Sequence, residues 1–193
     1  MKNSLENHFV VAMPSIVDPF FGRSIVYIFH HDNDATGTRG LIINKPFLAP
    51  TIANPKGLFM PPSIYKHLQA ALDTSTTIFL GGPIDMMSKC TILHSSDYNK
   101  NSAQISDDIC LNDSKEALQD IKNNQGPKKF RFILGFAGWG PGQLEEEVKN
   151  GDWLLKDGSA DFIFDTPDNS KWETAFVELG LDVSQLTMDS AEA

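Results

Sequence analysis

The segment Lys129–Lys149, KFRFILGFAGWGPGQLEEEVK, constrains the fold of this chain more than any other. Phe130, Phe132, Ile133, Leu134 and Phe136 form an apolar run of strand length, which Gly138, Gly140, Pro141 and Gly142 cannot continue. The chain must turn there and restart as an acidic helix. A strand, a glycine-rich loop and a helix in succession is where folds expose backbone N–H groups and functional side chains. The segment therefore locates a candidate site without naming a reaction.

β-Branched and aromatic residues predict further strands at His8–Met13, Ser24–His31, Thr38–Asn44, Thr77–Leu80, Cys90–His94, Gln104–Leu111, Lys129–Phe136 and Asp161–Phe164. Helical spacing is rarer. Ile64, Leu68, Ala71 and Leu72 share a face, as do Ala117, Leu118 and Ile121 after Asp113 and Ser114. Ser170–Leu179 is the clearest helix, with Ser170 and Glu173 in capping-box spacing and Gly180 as a left-handed stop. Strands interrupted irregularly by helices predict an α+β fold, with a mixed, partly antiparallel β-sheet core covered by about four helices and closure toward a barrel as a variant. The length of 193 residues suits one domain over residues 1–181, with residues 182–193 as a polar tail and Phe47–Pro62 as a long surface loop.

Charge is distributed unevenly. Residues 1–96 hold 6 acidic and 7 basic side chains, so the net −9 of the whole chain is concentrated in the second half. A negative surface repels phosphate backbones and argues against direct nucleic-acid binding; the run Lys128, Lys129, Arg131 reads as solvated charge at the start of a strand. No apolar stretch approaches the ~20 residues that span a bilayer, and Met1–Phe9 lacks the pattern of a secretory leader, so a soluble cytoplasmic protein with no membrane role is expected. Cys90 and Cys110 lack metal-ligand spacing, and no metal or cofactor is expected.

The loop from Asp32 to Gly37 suits an antiparallel hairpin between Ser24–His31 and Thr38–Asn44. His31 and Gly37 then lie at the turn, while Asn44 and Pro46 lie roughly 20 Å away at ~3.3 Å per residue. One small-molecule site cannot use all four.

The ordered segments HFVVAMPSIVDPFFGRSIVYIFHH, GTRGLIINKP, GGPI, ILH and GFAGWGPGQLEEEV resemble the YqgE/AlgH family over approximately Leu5 to Gly180. The resemblance implies a bacterial α+β protein without a settled biochemical activity, under a family name that carries a transcriptional-regulator label. Family-like positions are Pro14, Asp18, Pro19, Phe20, His31, Gly37, Gly40, Asn44, Pro46, Gly81, Gly82, Pro83, His94, Gly138, Trp139, Gly142, Gln143, Leu144 and Glu145. Thr38 and Arg39 depart from the small and apolar residues usual in the family at that turn.

The glycine loop lacks the Lys and Ser/Thr of a phosphate-binding loop, and Glu145, Glu146 and Glu147 would repel a phosphate at the helix start. In structural terms, Gly138 and Gly142 would supply special backbone angles and Trp139 would cover the core edge. In functional terms, Gln143 is placed to hydrogen-bond a ligand, and His94 and Glu145 are the candidates for an acid–base pair. His94 meets Gln143 and Glu145 if its strand runs parallel to the strand ending at Phe136; Gly81, Gly82 and Pro83 would then lend backbone amides to the same cleft, or merely form a tight turn. His31, Gly37 and Gly40 make a second patch. No Ser-His-Asp ordering or nucleophile elbow is present in the sequence. Three readings compete: a non-catalytic protein binding a small ligand or a protein partner with an indirect regulatory role, an enzyme using a His/Glu cleft, and a regulator binding DNA directly, which the charge opposes.

Overall fold

The computed structural model describes residues 4–47, 77–86, 88–183 and 186. In chain order the strands are β1 (His8–Ala12), β2 (Ile25–Asp32), β3 (Gly37–Ile42), β4 (Pro46–Phe47), β5 (Ile78–Leu80), β6 (Cys90–Ser95), β7 (Ala103–Gln104), β8 (Ile109–Asn112), β9 (Phe130–Leu134), β10 (Ala137–Trp139) and β11 (Trp153–Asp157). The described helices are α1 (Lys115–Lys122), α2 (Gln143–Lys149), α3 (Ala160–Phe164) and α4 (Lys171–Glu178). The chain divides into two compact units, residues 1–45 with 137–193, and residues 46–136.

The first unit holds a five-stranded antiparallel sheet in the order β10-β3-β2-β1-β11. The runs Phe9–Ala12 of β1 and Ile25–Ile28 of β2 are apolar and buried at every position because both faces are covered there, which removes the usual alternation. On one face Val10, Val26, Ile28 and Ile42 pack with Trp139, Leu144 and Trp153. On the other, the Phe9 ring lies 5.6 Å from Tyr27 and 5.1 Å from Phe162 of α3. The Trp172 indole N–H of α4 donates to the Ala12 carbonyl at 2.8 Å, anchoring that helix to the sheet. Each such buried large apolar side chain contributes about 1.5–3 kcal/mol.

Lys171 joins α3 to α4. Its side chain is 0% exposed, and its ammonium donates to the carbonyls of Phe162, Ile163 and Thr166 at 2.8, 2.9 and 2.6 Å. The first two are carbonyls that the end of α3 leaves without helical partners and the third follows its C-cap, and a cation at a helix C-terminus also complements its dipole.

The second unit holds a mixed six-stranded sheet in the order β4-β5-β9-β6-β8-β7. The β5–β9 pair is parallel and the other described pairs are antiparallel. Ala117 and Ile121 of α1 pack with Ile78, Ile92, Tyr98, Phe132 and Leu134. Ser114 caps α1, accepting from the Ala117 N–H at 3.1 Å.

The α+β class is as expected, and neither sheet closes into a barrel: each has two free ends in its strand order. Several local expectations change. Asp161–Phe164 is a helix, not a strand, capped by Ser159, which accepts from the Phe162 N–H at 3.3 Å. Gln104–Leu111 divides into β7 and β8. The strand expected to reach Phe136 ends at Leu134, because Gly135 adopts φ 68°. Ser170 forms no capping box; it has αR backbone angles and its side chain caps nothing. Gly180 does adopt the left-handed stop, at φ 74°. The expected helix around Ile64–Leu72 and most of the Phe47–Pro62 loop and of the polar tail lie outside the described residues. Among the described residues no helix is long and apolar enough to cross a membrane.

Candidate functional site

The turn of the β2–β3 hairpin is built on Asp32. Its carboxylate accepts from the backbone N–H groups of Asp34 at 3.0 Å, Ala35 at 3.2 Å and Thr36 at 3.2 Å, and from the Thr36 hydroxyl at 3.1 Å. These bonds, led by that from Asp34, hold its pKa below the ordinary carboxylate value. The turn brings His31 opposite Thr38, and the two side chains share a hydrogen bond of 2.9 Å at His31 Nδ1. Gly37, at φ 74°, closes the hairpin directly over the next strand: a Cβ there would stand 2.1 Å from the Trp139 carbonyl oxygen.

Beyond β10 the chain reaches α2 through Gly142, which caps the helix with left-handed backbone at φ 74° and no side-chain bond. Gln143 secures this entry by accepting from the Gly140 N–H at 3.0 Å and donating to Glu147 Oε1 at 2.8 Å. Both ends of its amide are thus committed within the protein. Glu147 also accepts the indole N–H groups of Trp139 and Trp153, at 2.8 and 2.9 Å. Its two oxygens together receive three donors.

Glu145, on the same helix, differs sharply. Its Oε1 lies 3.3 Å from His31 Nε2, within ion-pairing distance. Yet both oxygens are shielded from solvent and neither receives a hydrogen bond from the described residues. The His31 side chain is 6% exposed, while that of Glu145 is 31% exposed through its methylene stem. A buried carboxylate facing one imidazole, with accepting capacity unused, is the charged unsatisfied group among the described residues of this unit, beside the neutral Ser24 hydroxyl, which is likewise buried without a hydrogen-bond partner.

The other candidates separate. β6 and β9 are antiparallel, with Cys90 opposite Leu134 and His94 opposite Phe130. The parallel arrangement needed to aim His94 toward the loop after Phe136 is therefore absent, and Glu145 has His31 as its histidine. Gly81, Gly82 and Gly135 make a close backbone approach: a Cβ on Gly81 would lie 2.4 Å from the Gly135 carbonyl oxygen. Gly81 donates its N–H to Leu134 O at 2.7 Å, so this turn serves packing, and Pro83 continues it at the surface. Gly138 is an exposed strand residue opposite Arg39, without the special backbone expected for it. Trp139 is buried against the core. Gly40 lies flat against β2, where a Cβ would meet Val26 Cγ1 at 2.5 Å.

Burial pushes the Cys90 thiol up to about 12 and also raises that of Cys110, so neither supplies a thiolate nucleophile. The basic run forms no patch: Arg131 is buried with its guanidinium 4.4 Å from the Phe79 ring centroid. Among the described residues no cluster of His, Cys, Asp and Glu is arranged to hold a metal ion. The sequence reading missed Glu147 and Trp153. The i,i+4 spacing of Gln143 and Glu147 was the signal for the first; nothing local marks the second.

Comparison with known proteins assigns the family. A family model described as AlgH-like matches residues 9–184. The chain belongs to the AlgH-like family. It is 36% identical over 191 residues to a UPF0301 protein of Pseudoalteromonas translucida, covering 98% of this chain and 99% of that one. It is likewise 36% identical to a UPF0301 protein of Vibrio parahaemolyticus, covering 98% of this chain and all of the relative. The solution structure of the AlgH protein from Pseudomonas aeruginosa is similar with a TM-score of 0.69 at 30% identity, over 97% of this chain and 95% of that one. A crystal structure of a Corynebacterium diphtheriae protein shares the fold, with a TM-score of 0.66 at 18% identity over 96% of this chain and 92% of that one.

Proposed function

We propose that this AlgH-like protein is a cytoplasmic binding protein, and that the corner between the β2–β3 turn and α2 receives an N–H-donating group, an amine or guanidinium, of a small polar ligand. The unsatisfied carboxylate of Glu145 carries this reading. A buried carboxylate that accepts no hydrogen bond costs about 1–3 kcal/mol, which a donor brought by a ligand would recover. Rotation about the partly exposed stem would turn the carboxylate outward from His31. The nearest hydroxyl to His31 belongs to Thr38, which is 2% exposed and unable to attack a substrate, so binding is favoured over chemistry at this corner. Any regulatory effect would then run through ligand binding, in keeping with a net charge of −9 that repels DNA.

Native mass spectrometry of protein purified gently from its host tests the reading. A reproducible added mass that disappears in Glu145→Gln is expected. A bare wild-type chain, or an added mass that Glu145→Gln retains, overturns it.

A further inference from the structure

The second unit contains a pair that the sequence order conceals. His94 is 1% exposed, and both ring nitrogens are engaged. Nδ1 lies 2.8 Å from the Ser95 carbonyl oxygen and Nε2 lies 3.1 Å from Ser102 Oγ. A carbonyl only accepts, so Nδ1 carries the proton and Nε2 turns its lone pair toward the Ser102 hydroxyl. The alternative acceptor for that hydroxyl, Lys100 O, is farther away at 3.4 Å. Asn112 donates to Ser102 Oγ at 3.0 Å, and its amide orientation is set by the Ser114 N–H, which donates to its Oδ1 at 2.8 Å. Ser102 itself is only half-buried, between exposed Asn101 and Ala103 at the edge of the sheet.

We propose that Ser102 is a nucleophile with His94 as its general base, forming an acyl-transfer site for small activated esters. The arrangement has the parts of an activated serine: a hydroxyl, a base within hydrogen-bond reach, and a third group fixing the tautomer of the base, here the Ser95 carbonyl. Desolvation of His94 lowers its pKa and keeps the imidazole neutral, as a base must be. Asn112, donating to Oγ at 3.0 Å, holds the hydroxyl oxygen in place beside Nε2. In the reaction Oγ bonds to the ester carbonyl carbon while its proton passes to Nε2. The carbon–alkoxide bond breaks, and the leaving alkoxide takes that proton and departs as the alcohol. Water, deprotonated by Nε2, then cleaves the acyl-Ser102 bond, releasing the carboxylic acid and returning the proton to Oγ. Ester and water become acid and alcohol.

A fluorophosphonate probe incubated with the full chain provides the test, since Oγ attack on phosphorus with loss of fluoride leaves a covalent adduct visible by intact mass and peptide mapping. One adduct is expected, on Ser102, absent in Ser102→Ala and formed about a hundredfold more slowly in His94→Gln. Should His94→Gln not fold, the wild-type rate decides: it should fall as pH drops through the titration of the imidazole. No adduct on Ser102 under conditions that fully label a reference serine hydrolase, or a labelling rate that does not fall anywhere below the ordinary imidazole range while the protein stays folded, overturns the proposal.

Discussion

Trp139 and Trp153 donate their indole N–H groups to the same oxygen of Glu147, at 2.8 and 2.9 Å, with their rings edge to face at 83° and 5.8 Å between centroids. Trp139 ends β10 just before the glycine turn into the helix and Trp153 begins an edge strand, so one carboxylate ties β10, β11 and α2 together. Glu147→Ala strands two largely buried N–H donors and should cost about 3 kcal/mol, while Glu147→Gln, which keeps one acceptor, should cost about half as much. Urea unfolding midpoints with an unchanged slope would measure this.

The contact between His31 and Glu145 is energetically smaller. Partial exposure of the Glu145 stem and the absence of an aligned hydrogen bond limit it, so a double-mutant cycle through His31→Asn and Glu145→Gln should return a coupling of about 1 kcal/mol or less. A coupling of several kcal/mol would mark the pair as a structural clamp and weaken its assignment as a ligand site.

Lys171→Met should be among the most damaging single changes. It removes the donor to three carbonyls at the end of α3 and leaves them buried. A loss of about 3 kcal/mol is expected, which for a chain of this size lowers Tm by about 10 °C. Thermal unfolding by circular dichroism reads it directly.

Two glycines with similar φ should respond differently to alanine. Gly37 and Gly151 stand at φ 74° and 83°, but a Cβ at Gly37 would lie 2.1 Å from the Trp139 carbonyl oxygen whereas nothing lies within 4 Å at Gly151. Gly151→Ala should cost only the left-handed backbone term of about 1 kcal/mol. Gly37→Ala must also push the hairpin off the loop and should cost clearly more in the same unfolding measurement. Equal losses would show that the close approach contributes nothing.

His94 makes stability depend on pH. Burial lowers its pKa in the folded state below the ordinary 6.5, so between the two values the unfolded chain binds more protons than the folded one. The contribution of this residue to stability is therefore fully retained above pH 6.5 and declines as pH falls through 6.5 toward the depressed folded value. Denaturation followed from neutral to mildly acidic pH should show this fall, and a folded His94→Gln variant should lose that component of the slope.

Much of the architecture is written locally. The apolar runs of β1, β2, β6 and β9 mark strands because burial on both faces demands them, and Asp32 with Gly37 marks the hairpin because its turn needs a side-chain acceptor and a left-handed residue. The sequence also locates His31, His94 and Glu145 as chemically conspicuous residues. It misleads where the signal is short: Asp-Phe-Ile-Phe at 161–164 suits either a strand or one helical turn, and only the Ser159 cap and packing of Phe162 on Phe9 make it helical.

Pairing among the site residues was decided by tertiary structure alone. The direction of β6 against β9 determines where His94 points, and strand direction has no local sequence signature because parallel and antiparallel neighbours use the same extended backbone. In the second unit the β6–β8 and β8–β7 pairings bring Ser102 to His94, and within the first unit α2 carries Glu145 to His31. Residue type and local backbone are properties of the chain nearby; which two side chains share a hydrogen bond depends on contacts between distant segments, and those exist only after the sheets have formed.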